Sequence, residues 1–335
     1  MKKIKLYLVI CLLIIIALYS FGPRVQKSEF AADLPRIDVN INNIDNYIAK
    51  YDSGLQIKPD NATKIVWADD SLRKKSEFCL LYLHGFRASW YEGYPADIMF
   101  ANYFGCNAYY PRLASHGIYA DEPLIDMTPD RLWESAKEAL VVAKELGDKV
   151  IIMGTSTGAS LALKLAADFP EDVFGLLLYS PNTGINKTGI GLVTKSWGLQ
   201  IARSLAGGDY MYGSTDIESK ECKYWTCKFR VEAGVFLQQL VEQTMTEETF
   251  KKVTQPVFVG YYYKDEEHQD ETVKVSTILT MFDELGTSSD LKRKVAFQEA
   301  GTHVIACELF SKSYTDVYNE TVKFATEVLK MSPIQ

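Results

Sequence analysis

The feature that most restricts the fold is a five-residue turn at 154–158, Gly-Thr-Ser-Thr-Gly, set between an apolar run and a helical pattern. The run at 150–153 holds only Val, Ile and Met and predicts a buried strand, while residues 159–165 predict a helix directly after the turn. Such a strand-to-helix turn presents the Ser156 hydroxyl at the end of a sheet, and glycines flank it because side chains there would strike the neighbouring strand and helix. We therefore predict that Ser156 is a nucleophile.

The rest of the chain alternates short apolar runs with helical patterns. The predicted strands are 64–68, 78–83, 107–110, 150–153, 174–179, 257–262 and 294–297, and the predicted helices are 41–51, 96–104, 129–146, 159–168, 272–285 and 314–330. Because the apolar runs are continuous, they predict an α/β fold in which a mostly parallel central sheet is covered by helices on both faces. The stretch at about 183–228 shows no clear strand and predicts a cap inserted over the sheet edge where ligands bind.

A serine nucleophile needs a base, and the chain has only four histidines. In folds with this kind of turn the base follows the nucleophile along the chain, which excludes His84 and His116. His268 lies among acidic residues close behind a strand and is interpreted as a solvated loop residue. His303 follows the last predicted strand in a loop at the same sheet edge as Ser156, so we predict that His303 is the base.

The acid that orients this histidine is expected in the loop at 264–271, where five carboxylates compete. Asp265 stands at the end of the preceding strand. Asp270 stands where the loop turns into the next helix, and Val273 and Val275 can pin that turn by packing. Since an orienting acid must be held in place, we predict Asp270, with Asp265 as the alternative.

Two backbone N–H groups are expected to bind the oxyanion of a tetrahedral intermediate. One belongs to Thr157, directly after the nucleophile. The other is predicted to be that of Phe86, because the strand at 78–83 ends in His84-Gly85-Phe86 and Gly85 allows a close approach of the backbone.

The N-terminus differs from the rest of the chain. Three lysines at positions 2, 3 and 5 precede an apolar run at 6–21, which as a helix would reach about 24 Å against a bilayer core of about 30 Å. We predict that residues 1–22 form a membrane anchor, with a signal peptide as the alternative, that 23–40 form a linker, and that 41–335 form the catalytic domain. The lysines favour a cytoplasmic N-terminus and hence an exported domain tethered to the membrane.

Charge and cysteine content narrow the possible functions. The net charge is −7 and no block rich in Lys or Arg occurs, which argues against nucleic-acid binding. Cys222 and Cys227 are predicted to form a disulfide if the domain is exported, and no histidine stands near them at zinc-site spacing.

These motifs together resemble those of α/β-hydrolases, specifically the group of carboxylesterases and monoacylglycerol lipases and the serine aminopeptidases similar to it. The resemblance covers about residues 60–330 and rests on four stretches in the expected order, at 84–89, 111–117, 154–158 and 302–305. It implies an eight-stranded sheet with a helical cap, no metal or organic cofactor, Ser156 and His303 as nucleophile and base, and Phe86 and Thr157 as oxyanion donors. Ser115 stands where the group usually has Gly, and Thr157 stands where it usually has Met or Gln.

The sequence thus predicts a serine hydrolase that cleaves a small ester or lipid through an acyl-enzyme. A peptidase of the same fold, using the same residues on short peptides, stays open as an alternative. A non-catalytic binding protein on a hydrolase scaffold is disfavoured by the intact Ser156 and His303.

Overall fold

The computed structural model describes residues 2–334 and is built around one twisted sheet between two layers of helices. The strands are β1 (Lys64–Val66), β2 (Ser76–Leu83), β3 (Asn107–Tyr110), β4 (Gly147–Thr155), β5 (Gly175–Tyr179), β6 (Tyr210–Tyr212), β7 (Lys228–Arg230), β8 (Val257–Tyr261) and β9 (Lys292–Ala296). The helices are α1 (Lys2–Ser20), α2 (Ile44–Tyr51), α3 (Ala96–Phe104), α4 (Pro129–Leu146), α5 (Thr157–Asp168), α6 (Gly198–Ala206), α7 (Lys220–Tyr224), α8 (Val231–Thr244), α9 (Glu247–Lys252), α10 (Val275–Glu284) and α11 (Tyr314–Glu327). Met1 and Gln335, the outer ends of the predicted domain ranges, lie outside the described residues.

The central sheet has seven strands in the order β1-β3-β2-β4-β5-β8-β9. Only the edge pair β1–β3 is antiparallel, and every other neighbouring pair is parallel. The inner strands are buried along nearly their whole length, which is why their apolar runs are continuous rather than alternating. The predicted mostly parallel sheet is confirmed, but the eight strands implied by the resemblance are corrected to seven, because the described chain before β1 forms α1, α2 and irregular segments instead of a further strand.

Helices cover both faces of the sheet, as predicted. One core lies beneath α4, α5, α8, α9 and α10, and the other beneath α3 and α11. In α4 the buried positions recur at helical spacing, with Leu132, Ala136, Leu140 and Ala143 all at most 1% exposed. Pro129 occupies the first turn, where its missing N–H costs no hydrogen bond, so the helix begins where the sequence predicts.

The stretch predicted as a cap, 183–228, lies between β5 and α8 and contains α6, β6 and α7. Contrary to the prediction it does carry a strand, because β6 pairs in antiparallel fashion with β7 just beyond it. Cys222 and Cys227 are joined by the predicted disulfide at one end of this stretch.

The N-terminal helix α1 corrects a prediction. Among residues 2–334 no helix is both long enough and apolar enough to cross a bilayer. The lysines at its start leave an apolar portion of about 15 residues, which spans about 22 Å at 1.5 Å per residue, short of a core of about 30 Å. The predicted membrane anchor, and with it the predicted tethering to the membrane, is therefore wrong.

The stretch 23–40, predicted as a linker, lies against the helices on one face of the sheet. The Gln239 side chain on α8 donates to the Gln26 carbonyl at 2.7 Å, and the Lys137 ammonium on α4 donates to the Asp33 carbonyl at 2.7 Å. Since the backbone is fixed at both points, this part of the chain is not a free tether.

Candidate active site

Ser156 occupies a strained turn between β4 and α5. Its φ of 54° and ψ of −117° lie in a region that residues with side chains rarely adopt. The turn is held by three backbone hydrogen bonds: the Ser156 N–H donates to the Tyr179 carbonyl at 2.9 Å, and the Ser156 carbonyl accepts from the N–H groups of Ser160 and Asn182, each at 3.1 Å. The neighbouring strand and helix thus fix this strained conformation, in which Ser156 is only 6% exposed.

The flanking glycines are required by space. A methyl group on Gly158 would lie 1.9 Å from the Leu83 carbonyl oxygen, and one on Gly154 would lie 2.8 Å from the Gly158 carbonyl carbon. Side chains at these two positions would strike β2 and α5, which is the reason predicted from the sequence for the two glycines.

The His303 and Asp270 side chains pair at the same edge of the sheet. The imidazole Nδ1 donates to Asp270 Oδ2 at 2.6 Å, and the Asp270 side chain is fully buried. Asp270 Oδ1 accepts the N–H groups of Thr272 and Val273 at 2.8 and 3.0 Å. Burial lowers the pKa of the imidazole, but the Asp270 charge and hydrogen bond outweigh it, so the pKa of His303 is raised above 6.5.

The alternative acid and the other downstream histidine bind each other. His268 Nδ1 lies 2.8 Å from Asp265 Oδ1, and both side chains are more than half exposed. The structure therefore brings Asp270 to His303 and leaves Asp265 with His268 in an exposed part of the acidic loop.

A short segment after β5 links His303 to Ser156. The Ser180 hydroxyl donates to the His303 carbonyl at 2.7 Å, and two residues later the Asn182 N–H donates to the Ser156 carbonyl. The imidazole Nε2 is buried and has no hydrogen-bond partner among residues 2–334, including the Ser156 hydroxyl.

The loop after β2 is held on both sides of Phe86. The Gly85 N–H donates to the buried carboxyl of Glu92 at 2.5 Å, and the Arg87 N–H donates to His116 Nε2 at 3.1 Å. In the described part of the chain the Phe86 N–H between them donates to no protein acceptor. The Thr157 N–H lies in the first turn of α5, where helical N–H groups have no partner within the helix.

The two upstream histidines, excluded as bases from their order in the chain, support this loop. His84 Nε2 accepts the Leu113 N–H at 3.2 Å, and His116 Nδ1 donates to the Ala114 carbonyl at 2.8 Å. Burial lowers the pKa of both imidazoles, that of His84 to about 4, so both stay neutral at pH 7. Ser115 adopts a φ of 65°, a left-handed conformation, which explains why Gly is usual at this place.

An apolar cavity of about 500 Å³ opens beside Phe86. Its walls come from the stretch between β5 and β6, from Phe229 at β7 and from one face of α8, and the Phe86 and Phe229 rings meet edge to face at 5.3 Å. Lys187 is the one charged side chain among its lining residues. A more polar cavity of about 630 Å³ is lined by the acidic loop, including Asp270. Neither cavity has Ser156 or His303 among its lining residues.

The sequence missed two components of the site, the cavity and Glu92. The cavity depends on how the stretch 183–228 packs against α8, a helix that the periodicity did not predict. Glu92 carries no motif of its own and was recognised only through its hydrogen bond to Gly85. Among residues 2–334, no cluster of three or more His, Cys, Asp or Glu side chains is placed to hold a metal ion.

Comparison with known proteins places this geometry in a family. Solved structures with the same fold include one of the metagenome-derived lipolytic enzymes LipS and LipT, with 16% identity, a TM-score of 0.62 and 80% of this chain and 98% of that chain covered. They also include a monoacylglycerol lipase from Paleococcus ferrophilus, with 14% identity, a TM-score of 0.56 and 78% and 96% covered, and Est1E from Butyrivibrio proteoclasticus with bound ferulic acid, with 18% identity, a TM-score of 0.52 and 80% and 95% covered. No curated protein matches the chain in sequence. Because the family model described as the alpha/beta hydrolase family matches residues 80–300, well over half of the sequence, the predicted fold is confirmed and the chain belongs to the α/β-hydrolase family.

Proposed function

We propose that the protein is a serine esterase in which Ser156 is the nucleophile, His303 the base and Asp270 the acid that orients it. The observation that carries this proposal is the His303–Asp270 pair, which leaves Nε2 unpaired at the sheet edge where Ser156 stands in its strained turn. A paired Nδ1–H fixes the tautomer in which Nε2 can accept a proton.

The reaction follows from these atoms. His303 Nε2 accepts the Ser156 proton while Oγ attacks the ester carbonyl carbon. The resulting oxyanion accepts hydrogen bonds from the backbone N–H groups of Phe86 and Thr157. Collapse of the intermediate breaks the bond to the alcohol, which takes the proton from the imidazolium. A water molecule, deprotonated by the same imidazole, then attacks the acyl-enzyme. The bond to Ser156 Oγ breaks, Oγ takes the proton back from the imidazolium, and the acid leaves.

The cavity beside Phe86 favours an ester with an apolar acyl group over a short peptide. It is lined mainly by aliphatic and aromatic side chains, and among its lining residues there is no carboxylate to bind a peptide's free ammonium. We propose that the stretch 183–228 acts as the cap of this cavity, since residues between Ile185 and Tyr212 form much of its wall.

Three variants test this function. Ser156→Ala and His303→Ala are expected to lower kcat on p-nitrophenyl esters by at least about 10³-fold without unfolding the protein, whereas His268→Ala, the matched control, keeps nearly full activity. A fluorophosphonate probe should modify Ser156, as located by peptide mass spectrometry. Full esterase activity of folded Ser156→Ala would refute the proposal, and faster turnover of aminoacyl-nitroanilides than of any ester would favour the peptidase.

A further inference from the structure

A second buried carboxyl lies directly beside the nucleophile. Glu92 is in a short 3-10 turn, Trp90–Gly93, and is only 2% exposed. A methyl group on Gly85 would fall 2.8 Å from Glu92 Oε1 and 3.1 Å from Ser156 Cβ. The carboxyl and the nucleophile therefore flank the same glycine.

Burying the Glu92 carboxyl costs free energy, because no cation in the described part of the chain is paired with it. No Lys or Arg forms a salt bridge with it among residues 2–334. The groups that face it are Arg87, which points towards Thr226, together with His303, Tyr82 and Cys307. Burying a carboxyl without a paired cation is unfavourable, so its position calls for a local role.

The hydrogen-bond pattern of the loop indicates that role. Phe86 supplies the first oxyanion donor in the proposed function, and its N–H lies between two anchored amides. On one side the Gly85 N–H donates to Glu92 Oε2 at 2.5 Å, and on the other the Arg87 N–H donates to His116. The Glu92 bond fixes the His84–Gly85 peptide, which adjoins the Gly85–Phe86 peptide that carries the donor and whose carbonyl accepts from His84 Nδ1 and the Ala88 N–H. Losing the Glu92 acceptor therefore removes the anchor on one side of the donor.

We propose that Glu92 is a positioning residue of this site, whose carboxyl holds the His84–Gly85 peptide, directly before the Gly85–Phe86 peptide, so that the Phe86 N–H points at the developing oxyanion. The proposal rests on the proposed function, because only an acyl-transfer reaction needs a donor at that place. A displacement of about 1 Å in such a group can lower the rate by about 100-fold.

The protonation state of Glu92 makes Glu92→Gln a suitable control variant. Burial raises the pKa of Glu92 to about 8, although the Gly85 hydrogen bond, His303 and Arg87 oppose it. At pH 7 the carboxyl mostly keeps its proton, so Gln matches it in shape and charge and retains an acceptor oxygen for the Gly85 N–H. Leu and Met have similar volumes but no acceptor.

The experiment compares Glu92→Gln with Glu92→Leu at pH 7. Glu308→Gln is the matched control. Glu308 accepts a hydrogen bond at 2.7 Å from the hydroxyl of Tyr91, the residue before Glu92, and makes no hydrogen bond to the loop after β2. We measure kcat and KM on one p-nitrophenyl ester and the rate constant of Ser156 phosphonylation by a fluorophosphonate, with the melting temperature as a check on folding.

Glu92→Leu is expected to lower kcat and the phosphonylation rate constant by roughly 10- to 100-fold and to change KM by less than about threefold. Glu92→Gln and Glu308→Gln should stay within about threefold of wild type. If Glu92→Leu does not fold, Glu92→Met takes its place, with the same expected result.

Three results would overturn the inference. They are a folded Leu or Met variant with wild-type rates, a Gln variant as slow as the Leu variant, or a Leu variant in which KM rises while kcat stays at the wild-type value. A wild-type protein that does not react with the probe at Ser156 would instead contradict the proposed function. The two failures are therefore distinguishable.

Discussion

Replacing Gly234 by Leu tests whether the cavity beside Phe86 binds the acyl chain. Gly234 lies on the cavity face of α8 with helical backbone, so a side chain there causes no backbone strain. The nearest atom to an added Cβ is Met211 Sδ at 3.7 Å, an ordinary van der Waals distance. The new side chain should therefore project into the cavity of about 500 Å³ without displacing its walls.

The size of the effect follows from the carbon atoms that the cavity can no longer hold. A Leu side chain brings four carbons and excludes about as many methylenes of the substrate, each worth about 0.8 kcal/mol when buried. The loss is about 3 kcal/mol, or on the order of 100-fold in kcat/KM for a long-chain ester, while an acetate ester should be unaffected. Helix α8 itself should become more stable by about 0.8 kcal/mol, because Gly is a poor helix former.

The assay is kcat/KM on p-nitrophenyl esters from acetate to dodecanoate. Gly234→Ala adds one carbon and should lower kcat/KM on the longest ester by about fourfold. Gly191→Ala is the matched control, because its added carbon would face Glu242 at 3.5 Å and not the cavity. An unchanged ratio of long- to short-chain activity in folded Gly234→Leu would refute the assignment of the cavity to the acyl chain.

Three further changes test the rest of the site. Asp270→Asn should lower kcat by about 10³- to 10⁴-fold, whereas Asp265→Asn, whose partner is an exposed histidine, should stay within about twofold in the same steady-state assay. Because the pKa of His303 is raised above 6.5, activity should disappear as pH falls through a midpoint above 6.5, and that midpoint should move to lower pH in Asp270→Asn; a flat pH–rate profile from 5 to 9 would exclude a histidine base. Replacing Cys222 and Cys227 together by Ser should lower the free energy of unfolding by about 2 kcal/mol, and an unchanged urea midpoint would contradict this.

The sheet and its covering helices could be predicted because local and tertiary signals agree. Continuous apolar runs become buried parallel strands, and the predicted bounds of α3 and α4 match the structure residue for residue. Both helices have clear ends: Gly105 ends α3 in a left-handed conformation, and Pro129 begins α4.

The stretch around the cavity could not be predicted because its order comes from tertiary contacts. The strands β6 and β7 have three residues each and are separated by more than a dozen residues, so neither shows a periodic pattern. Helix α8 is buried on several faces and contains Gly234, which weakens both its amphipathic pattern and its helix propensity. The N-terminal run misleads because its apolar composition is typical of a membrane anchor, whereas its helix is too short for one.

The choice between the two candidate acids shows what packing adds to spacing. The spacing from the strand favours Asp265, but nothing apolar fixes that part of the loop, and it is exposed. Val273 and Val275 are 0% and 3% exposed, and the Val273 N–H itself donates to Asp270. The buried valines therefore fix the turn whose backbone binds the carboxylate that meets His303.

The two carboxyls of the site show why one could be read from sequence and the other could not. The Asp270 carboxylate accepts three hydrogen bonds. Two come from residues two and three positions later in the chain, so most of its environment is determined by the local sequence. Among residues 2–334 the Glu92 carboxyl accepts one hydrogen bond, from the Gly85 N–H, and it is surrounded by residues distant in sequence, including His303. A single Glu among aromatic residues would be predicted from sequence to be exposed, and only the fold shows that it is buried. Burial then raises the pKa of Glu92 to about 8, so that its effect on the loop comes from a hydrogen bond more than from a charge. For that reason the decisive comparison at this position is between Gln and Leu, which differ in the acceptor, and not between Glu and Gln, which at pH 7 differ little.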